Sequence, residues 1–485
     1  MTSEELLNLL QEIQVTRCET QTLELKAAEQ GCPKRLYDTL SSFSNQDDGG
    51  TIVFGIDESN GFTECGVYDP QDLQKKINEH CLQMEPVIRP VLTVAEKDGK
   101  CFVAAEIPGM ELSIRPCYYR GKGQMKGSYV RVGDSDEPMT DYEIYSYEAF
   151  RRKYQDDIRV VPRAMLTTLD PILLEDYLHK LKVQKPNLSA LDNQTIYELM
   201  SITRQGELTL SAVMLFCRYP QVYFPQLCIT AVVLPGNEVG SVGMAGERFI
   251  DNQRIEGTIP EMLEQTIAFV RKNMKIKTII NPETGKREDR TEYPVTAIRE
   301  AVLNTLVHRD YSVHTEGMPI QIRMYPDRIE MHNPGGIYGR IRIDQLGRMQ
   351  PDTRNPVLAT AMEVLKITEN RYSGIPTIRH AMADYGLREP VFEDHRGSFS
   401  VTFYNETIQQ NTTPTEKLSD KEKALLRFLT TPHTRQEIIA HLGLQKSPAY
   451  AIQRYVKPLL AKGLIKMTIP ERPGSPKQKF YSGKR

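Results

Sequence analysis

The chain contains no tryptophan, and its eight cysteines are scattered without a Cys-x-x-Cys pair. This spacing argues against a structural zinc site or a redox dithiol, and it fits reduced thiols in a cytoplasmic protein. No apolar run approaches the roughly 20 residues that span a bilayer. The first residues also lack the basic and apolar regions of a signal peptide. We therefore expect a cytoplasmic protein without a membrane partner.

Net charge is nearly absent, at −2, but the two ends of the chain differ. Residues 415–485 carry fifteen Lys and Arg against five Asp and Glu, a net charge of +10, whereas the preceding 414 residues carry −12. A basic tail on an acidic body favours a polyanionic partner for the tail. The length of 485 residues predicts three or four globular domains.

One helical segment carries the strongest chemical signal. Glu300 and Asn304 are four residues apart, and apolar residues recur around them at helical spacing. The carboxylate and the amide are therefore expected one turn apart on one helix face. Such a pair can orient a water molecule and hold Mg²⁺. The same pair also occurs on ordinary solvated helix faces.

Strands, glycine turns and further helices are predicted downstream. Strand-like residues 320–324 and 328–331 flank a Tyr-Pro-Asp turn, and residues 333–336 (Asn-Pro-Gly-Gly) predict a turn that exposes backbone. Residues 354–356 (Arg-Asn-Pro) precede one predicted helix, and residues 371–375 open another.

In this order the segments resemble the C-terminal ATPase half of RecG-like proteins, a GHKL-type (Bergerat) fold, over roughly residues 265–405. The resemblance implies a two-layer α/β sandwich that binds ATP and Mg²⁺. It makes Glu300 the general base for the attacking water and Asn304 the Mg²⁺ ligand. The implied nucleotide contacts are Asn333 at the adenine amino group, Gly335 and Gly336 through close backbone approach, and Ser373 and Gly374 at the phosphates.

Two departures from the family pattern leave hydrolysis open. Asn333 is neutral where an Asp is usual, and the phosphate-side motif at Ser373 and Gly374 has fewer glycines than the usual form. A degenerate fold used as a scaffold is the alternative. His308, Arg309 and Asp310 are predicted either to contact phosphate or to end the helix.

The first 150 residues carry a second set of motifs. An amphipathic helix is predicted over residues 4–14, followed by residues 19–26, which alternate polar and apolar like a strand. A helix around residues 34–45 ends in Ser-Phe-Ser-Asn, and an Asp-Asp-Gly-Gly turn then leads into a buried strand that ends at Asp57. This arrangement resembles the Schlafen AlbA-type domain through about residue 150.

The Schlafen resemblance allows two chemical interpretations. Some Schlafen relatives cut RNA with three carboxylates and a divalent metal, and the matching residues here are Glu19, Glu24 and Asp57. Glu19 and Glu24 would point to opposite faces of a regular strand, so a bend near Thr22 would be needed. The alternative is a structural Glu24–Lys26 pair in a domain that only binds nucleic acid or a partner.

Basic residues of the same domain are interleaved with tyrosines, a mixture that suits phosphate contact and base stacking. The same mixture also occurs on ordinary solvated hairpins. The candidate nucleic-acid contacts here are Lys26, Lys122 and Arg131.

The basic tail follows a polar linker and predicts a winged helix. Helices over 419–430 and 434–441, each opened by a capping box, precede a third helix over 448–462, a wing and a return strand. The charge favours nucleic acid, although winged helices also mediate protein contacts. The candidate contacts to bases or phosphates are Ser447, Tyr450, Arg454, Lys457, Lys477 and Lys479.

Together the patterns predict an α/β (α+β) multidomain chain. Its regions are a Schlafen AlbA-type nucleic-acid-binding domain (1–150), a helical connector and strand region that packs on the ATPase half (151–264), a GHKL-like ATP-binding domain (265–406), a linker (407–418) and a winged helix (419–485).

The first functional hypothesis is a DNA-binding transcriptional regulator whose ATP state modulates nucleic-acid binding, with RNA as another target. The alternatives are a metal-dependent nuclease and an ATP-hydrolysing enzyme. A helicase motor is disfavoured, because the sequence lacks a Gly-x-x-x-x-Gly-Lys-Ser/Thr loop. A dimer would follow from reading a palindromic operator.

Overall fold

The computed structural model describes residues 1–280, 287–349, 351–368, 373–407, 420–442, 455–456, 459–460, 465–468 and 479–482. The chain divides into two compact units, Met1–Thr407 and Ile408–Arg485. Among the described residues, no helix combines the length and the apolar character needed to cross a membrane.

The N-terminal part of the first unit alternates helices with short strands. β1, β2, β7 and β6 form a sheet in that order, with β1 parallel to β2 and the other neighbours antiparallel. The elements are α1 (Ser3–Thr16), β1 (Leu23–Lys26), α2 (Tyr37–Ser44), β2 (Gly50–Phe54), β3 (Ile56–Asp57), β4 (Thr63–Glu64), α3 (Pro70–Leu82), β5 (Met84–Glu85), β6 (Val91–Lys97), β7 (Lys100–Ile107), β8 (Tyr118–Tyr119), α4 (Gln124–Gly127), β9 (Tyr129–Val132), β10 (Ser135–Pro138) and α5 (Asp141–Arg152).

Each face of this sheet has its own apolar core, because neighbouring residues of β2 point to opposite faces. Ile52 and Phe54 belong to the core that also contains the fully buried Phe43 of α2. Val53 belongs to the opposite core, against α1. The predicted amphipathic helix is confirmed, since α1 buries Leu6, Leu10 and Ile13.

Two predicted strands are interrupted. Residues 19–26 do not form one strand, because Thr20 and Leu23 exchange backbone hydrogen bonds of 3.2 and 3.3 Å across a tight turn that precedes β1. The predicted strand that ends at Asp57 is divided into β2 and β3 at Gly55. The first interruption, before β1, brings the side chains of Glu19 and Glu24 to the same side of the chain.

The rest of the first unit contains a larger sheet covered by helices. Its elements are α6 (Pro171–Gln184), α7 (Asn193–Leu199), β11 (Thr203–Arg204), β12 (Glu207–Leu208), α8 (Leu210–Phe216), β13 (Ile229–Val233), β14 (Asp251–Ile255), α9 (Ile259–Asn273), β15 (Ile276–Ile280), β16 (Arg287–Thr291), α10 (Val295–His308), β17 (Ile320–Met324), β18 (Arg328–Pro334), α11 (Pro356–Val364), α12 (Gly374–Asp384), β19 (Val391–Asp394) and β20 (Ser398–Tyr404).

The larger sheet has the strand order β14-β13-β17-β18-β20-β19, with β13 parallel to β17 and the other neighbours antiparallel. α10 packs against both α9 and α12, and these helices share one large apolar core with the sheet. Strands β13 and β14, which lie in the predicted connector, are therefore part of the same sheet as β17–β20. The mixed α/β fold class is confirmed.

The second unit has a small sheet of its own with strand order β21-β23-β22. Thr434 caps α14 in a capping box with Glu437, as the sequence predicts. The predicted third helix and the wing lie mostly outside the described residues, so the winged helix stays a prediction. The described elements are α13 (Asp420–Phe428), β21 (His433–Thr434), α14 (Arg435–His441), β22 (Ile465–Met467) and β23 (Lys479–Ser482).

Candidate functional site

Helix α10 carries the predicted carboxylate and amide. Its apolar face enters the large core, where Ala301 and Val302 are at most 2 % exposed, and Glu300 and Asn304 are half-buried beside it. Asn304 Nδ2 lies 3.5 Å from Glu300 Oε1, so the two side chains share one face. Burial raises the pKa of Glu300, which suits a carboxylate that accepts a proton.

Asn333 lies within a strand and not in the predicted turn. β18 extends to Pro334 and pairs with β20 over these residues. The Asn333 side chain is 4 % exposed, and its Oδ1 atom has no hydrogen-bond partner among the described residues. A buried acceptor without a partner costs about 1–3 kcal/mol. A ligand that donates a hydrogen bond to Oδ1 would remove this cost.

Two glycines leave room that a side chain would fill. Gly335 has a φ of +100°, and a Cβ there would lie 2.4 Å from Arg354 Nη1. A Cβ on Gly374 would lie 2.5 Å from Glu300 Oε1 and 2.9 Å from Asn304 Nδ2. The space beside the Glu300–Asn304 pair therefore depends on the absence of a side chain at residue 374.

These groups line one cavity of about 530 Å³, within the range of roughly 300–1,000 Å³ that is typical of small-molecule sites. Phe392 and Phe399 give it an apolar wall. All the residues that the sequence assigns to nucleotide binding or hydrolysis in this domain line the cavity: Glu300, Asn304, Asn333, Gly335, Gly336, Ser373 and Gly374.

A buried ion pair connects the cavity wall to the first domain. Arg354 lines the cavity, and its Nη1 atom lies 3.1 Å from Asp310 Oδ2. Tyr142 of α5 donates a hydrogen bond of 2.7 Å to the same Asp310 oxygen. Sequence reasoning missed this link, because Tyr142 and Asp310 are 168 residues apart and no local pattern joins them.

The residues at the end of α10 have three different environments. His308 is exposed and lines the cavity. Arg309 is buried, and its guanidinium donates to the carbonyl oxygen of Thr315 at 2.9 Å and to that of Met318. Asp310 pairs with Arg354 as described. Of the three, His308 is therefore the residue that faces the cavity.

The predicted carboxylates of the first domain meet at an arginine. The turn before β1 brings Glu19 and Glu24 to the same side, where Arg131 Nη2 lies 2.9 Å from Glu24 Oε2 and 3.8 Å from Glu19 Oε2. Lys26 Nζ contacts Glu24 Oε1, the pair that the structural interpretation predicts. Burial, with Glu24 close by, raises the pKa of Glu19. We call Glu19, Glu24, Lys26 and Arg131 the acidic cluster.

Asp57 does not complete a metal site with this cluster. Its Oδ1 atom accepts a hydrogen bond of 2.6 Å from Ser59 Oγ. Within the part of the chain that the structure describes, no group of three or more His, Cys, Asp or Glu side chains is arranged to hold a metal ion. The geometry thus gives the three-carboxylate site no support, because cationic side chains already contact Glu24.

The predicted nucleic-acid contacts of the first domain differ in exposure. Arg131 is 4 % exposed and also pairs with Asp136 at 3.0 Å, so its guanidinium is not open to phosphate. Lys122 is exposed, and its Nζ atom donates to Tyr37 Oη at 2.6 Å. The Tyr37 ring stacks on Tyr119 with ring centroids 4.7 Å apart.

Most of the predicted nucleic-acid contacts of the tail lie outside the residues that the structure describes. Lys479 lies at the start of β23. The other five, Ser447, Tyr450, Arg454, Lys457 and Lys477, lie outside the described residues.

Two family models match the chain in the regions where the sequence resembles known families. Residues 19–140 match the model for Schlafen, AlbA_2, and residues 317–403 match the model for the putative ATP-dependent DNA helicase recG C-terminal region. The chain combines a Schlafen AlbA_2 domain with a RecG C-terminal domain. At this coarse level the matches support a nucleic-acid-related ATPase. Residues 420–481, beyond the RecG C-terminal domain, match the C-terminal domain of Filamentation induced by cAMP protein Fic-like.

Two solved structures are similar in part. The DIP2311 protein from Corynebacterium diphtheriae matches at 18% identity over 93% of this chain and 92% of that chain, with a TM-score of 0.41. The N-terminal domain of a putative ATP-dependent DNA helicase RecG-related protein from Nitrosomonas europaea matches at 25% identity over 27% of this chain and 92% of that chain, with a TM-score of 0.23. No curated protein matched the chain.

Proposed function

We propose that the protein binds ATP with Mg²⁺ in the cavity beside α10, and that the bound nucleotide sets its affinity for nucleic acid, as in a DNA-binding transcriptional regulator. The observation that carries the proposal is Asn333 Oδ1, a buried acceptor at the cavity without a partner among the described residues. The amino group of adenine is a donor of the kind that this oxygen lacks. Phe392 and Phe399 on the cavity wall would enclose the apolar faces of the base.

Glu300 and Asn304 would supply the chemistry at the phosphates. An amide oxygen is a ligand that Mg²⁺ accepts, and the cation would neutralise phosphate charge. Glu300 would orient the attacking water and accept its proton, a role that the raised pKa of this carboxyl favours. Gly374 leaves the space that phosphates would need beside both residues.

Arg354 is the residue through which nucleotide binding would affect α5, the helix that directly follows the AlbA_2 match. It lines the cavity, and its Asp310 partner accepts the hydrogen bond from Tyr142 of α5. Arg354 and Asp310 are at most 5 % exposed and tightly packed, so a displacement of one side chain would displace the other. ATP can change nucleic-acid affinity only if it binds one arrangement of these groups better than another.

The test is an affinity measurement with labelled single-stranded and duplex DNA, without nucleotide and with a saturating non-hydrolysable ATP analogue and Mg²⁺. We expect the analogue to change the Kd of the wild type by roughly 5-fold or more. Tyr142→Phe should reduce that change, because it removes the hydrogen bond to Asp310.

Tyr145→Phe is the matched control. It lies on the same helix and removes the same group, but its hydroxyl donates to Asp156 at 2.8 Å. The proposal predicts that nucleotide coupling persists in this variant. Equal DNA affinity of the wild type with and without saturating analogue would contradict the regulatory part of the proposal.

A further inference from the structure

A second and larger cavity lies beside the nucleotide cavity within the first unit. It measures about 1150 Å³ and is lined by the end of α5, by residues 109–115 of the AlbA_2 domain and by part of the segment 338–354. Its size exceeds the roughly 300–1,000 Å³ of ordinary small-molecule sites. We call it the interdomain cleft.

Basic side chains outnumber acidic side chains in the lining of the cleft. Six Arg and Lys side chains line it against three Asp and Glu side chains. Two of the carboxylates are already paired, since Asp47 lies 2.7 Å from Arg115 and Asp352 lies 3.0 Å from Arg340. Arg151 and Lys153, at the end of α5, are exposed. Three of the cations pair with carboxylates outside the lining, namely Arg354 with Asp310, Arg342 with Asp344 and Arg151 with Glu148 at 3.5 Å. Because the Arg151–Glu148 pair is exposed to solvent and weak, Arg151 and Lys153 are the cations that a polyanion would meet.

Aromatic rings flank these cations. Phe150 and Tyr154 come from the same helix end as Arg151 and Lys153, and Tyr338 comes from the opposite wall. Phe150 packs against Tyr338 with centroids 5.6 Å apart, whereas Tyr154 is 39 % exposed. Aromatic rings in a basic groove are the pattern that binds single-stranded nucleic acid, because unpaired bases stack on them.

We propose that the interdomain cleft binds a single-stranded nucleic acid, with Arg151 and Lys153 at phosphates and Tyr154 stacked on a base. A duplex keeps its bases stacked inside, so it offers no free base face to Tyr154. Binding in the cleft does not require ATP, although both cavities share the wall that contains Tyr338, Asp352 and Arg354.

The experiment titrates labelled 12-nucleotide single strands, one of DNA and one of RNA, and a 12-base-pair duplex into the full chain. Arg151→Glu combined with Lys153→Glu should weaken single-strand binding at least tenfold. It should also lower the slope of log affinity against log salt by about 1.4, the value for two lost phosphate contacts. The single strand that binds more tightly, DNA or RNA, identifies the kind of nucleic acid that the cleft prefers.

Tyr154→Ala tests stacking separately. We expect single-strand affinity to fall about 5-fold or more, and Tyr154→Phe to restore it, because phenylalanine keeps the ring. The salt slope should stay as in the wild type. Loss of affinity in Tyr154→Phe as well as in Tyr154→Ala would contradict a stacking role.

The matched charge control is Arg271→Glu combined with Lys272→Glu, a basic pair in the last turn of α9. Its single-strand affinity should remain within twofold of the wild type. Lys122→Glu tests the exposed lysine beside Tyr37. Single-strand affinity that is unchanged in the cleft variants but lost in Lys122→Glu, or duplex binding as tight as single-strand binding, would overturn the proposal.

ATP calorimetry on the same variants separates this inference from the proposed function. The cleft variants should bind ATP as the wild type does. Failure of ATP to bind to the wild type would remove the proposed function, whereas the oligonucleotide titrations would still decide the role of the cleft.

Discussion

The acidic cluster of the AlbA_2 domain and the cavity beside α10 both contain carboxylates, but the partners of these carboxylates differ. At Glu24, Arg131 and Lys26 are both within ion-pair distance. At Glu300, the hydrogen-bond contact is the long 3.5 Å approach of Asn304. Carboxylates that contact cations within a fold tie local segments together, whereas polar groups without a cationic partner that line a cavity of ligand size favour a binding site.

Similar sequence patterns therefore lead to different environments for the side chains in the two regions. Both regions offer side-chain oxygen atoms of the kind that a divalent cation binds. In the first region the Arg131 guanidinium lies within ion-pair distance of Glu24 and Glu19, and Arg131 also donates to the carbonyl oxygens of Thr20 and Leu23 at 3.3 Å. Arg131 therefore fixes the turn that brings the carboxylates together.

The largest expected effect concerns Glu300→Gln. If Glu300 is the base, this substitution should lower ATP turnover by about 100-fold or more, while the neutral amide leaves nucleotide binding nearly intact. Steady-state phosphate release measures it. Glu264→Gln, on the neighbouring helix α9 with a side chain 70% exposed, should turn over as the wild type does. Full turnover by Glu300→Gln would remove the residue from the mechanism.

The next effect concerns the acidic cluster. Arg131→Ala should lower the free energy of unfolding by roughly 3–5 kcal/mol, because it leaves buried carboxylates short of a cation. Urea unfolding of the wild type and the variant measures the difference. Lys122→Ala, which removes an exposed cation of the same domain, should change stability by about 0.5 kcal/mol or less. A stable Arg131→Ala variant that binds Mn²⁺ through Glu19 and Glu24 would instead favour the metal interpretation.

Asp157 is a buried carboxylate whose partners are neutral backbone groups, unlike Glu24 with its cations. Asp157 Oδ2 accepts hydrogen bonds from Val357 N at 2.9 Å and Leu358 N at 3.1 Å, at the start of α11. Burial raises its pKa from 3.8 to about 6. A raised carboxyl pKa gives stability that is present below about pH 4 and is lost as the pH rises through 6, on the order of 3 kcal/mol.

Asp157→Asn should remove that pH dependence, since an amide oxygen still accepts from both backbone groups but does not titrate. Thermal or urea unfolding between pH 4 and pH 7 compares the two proteins. A wild type and a variant with parallel stability profiles would show that Asp157 ionises normally in the folded state.

Local patterns predicted the part of the site that lies on one element. The four-residue spacing placed Glu300 and Asn304 on one face of α10, and the Arg-Asn-Pro segment led correctly into α11 at Pro356. Helical periodicity and caps depend on near neighbours, so the sequence carries them directly.

Contacts between distant segments could not be predicted in this way. The alternation of residues 19–26 predicted one strand, but the chain turns at Thr20–Leu23, where Arg131 from a distant strand holds the carbonyl groups. Asn333 was expected in a turn and lies in β18, because pairing with β20 extends that strand to Pro334. The Tyr142–Asp310 bond likewise depends on how two domains pack.

The most direct test of the account is calorimetric titration of ATP with Mg²⁺ into the wild type and Asn304→Ala, with Asn193→Ala, a change of an exposed asparagine on α7, as the control. We expect saturable binding by the wild type and by the control, and a loss of Mg²⁺-dependent affinity of about tenfold or more in Asn304→Ala. No binding by the wild type, or equal affinity in all three proteins, would contradict the claim that this cavity is a nucleotide site.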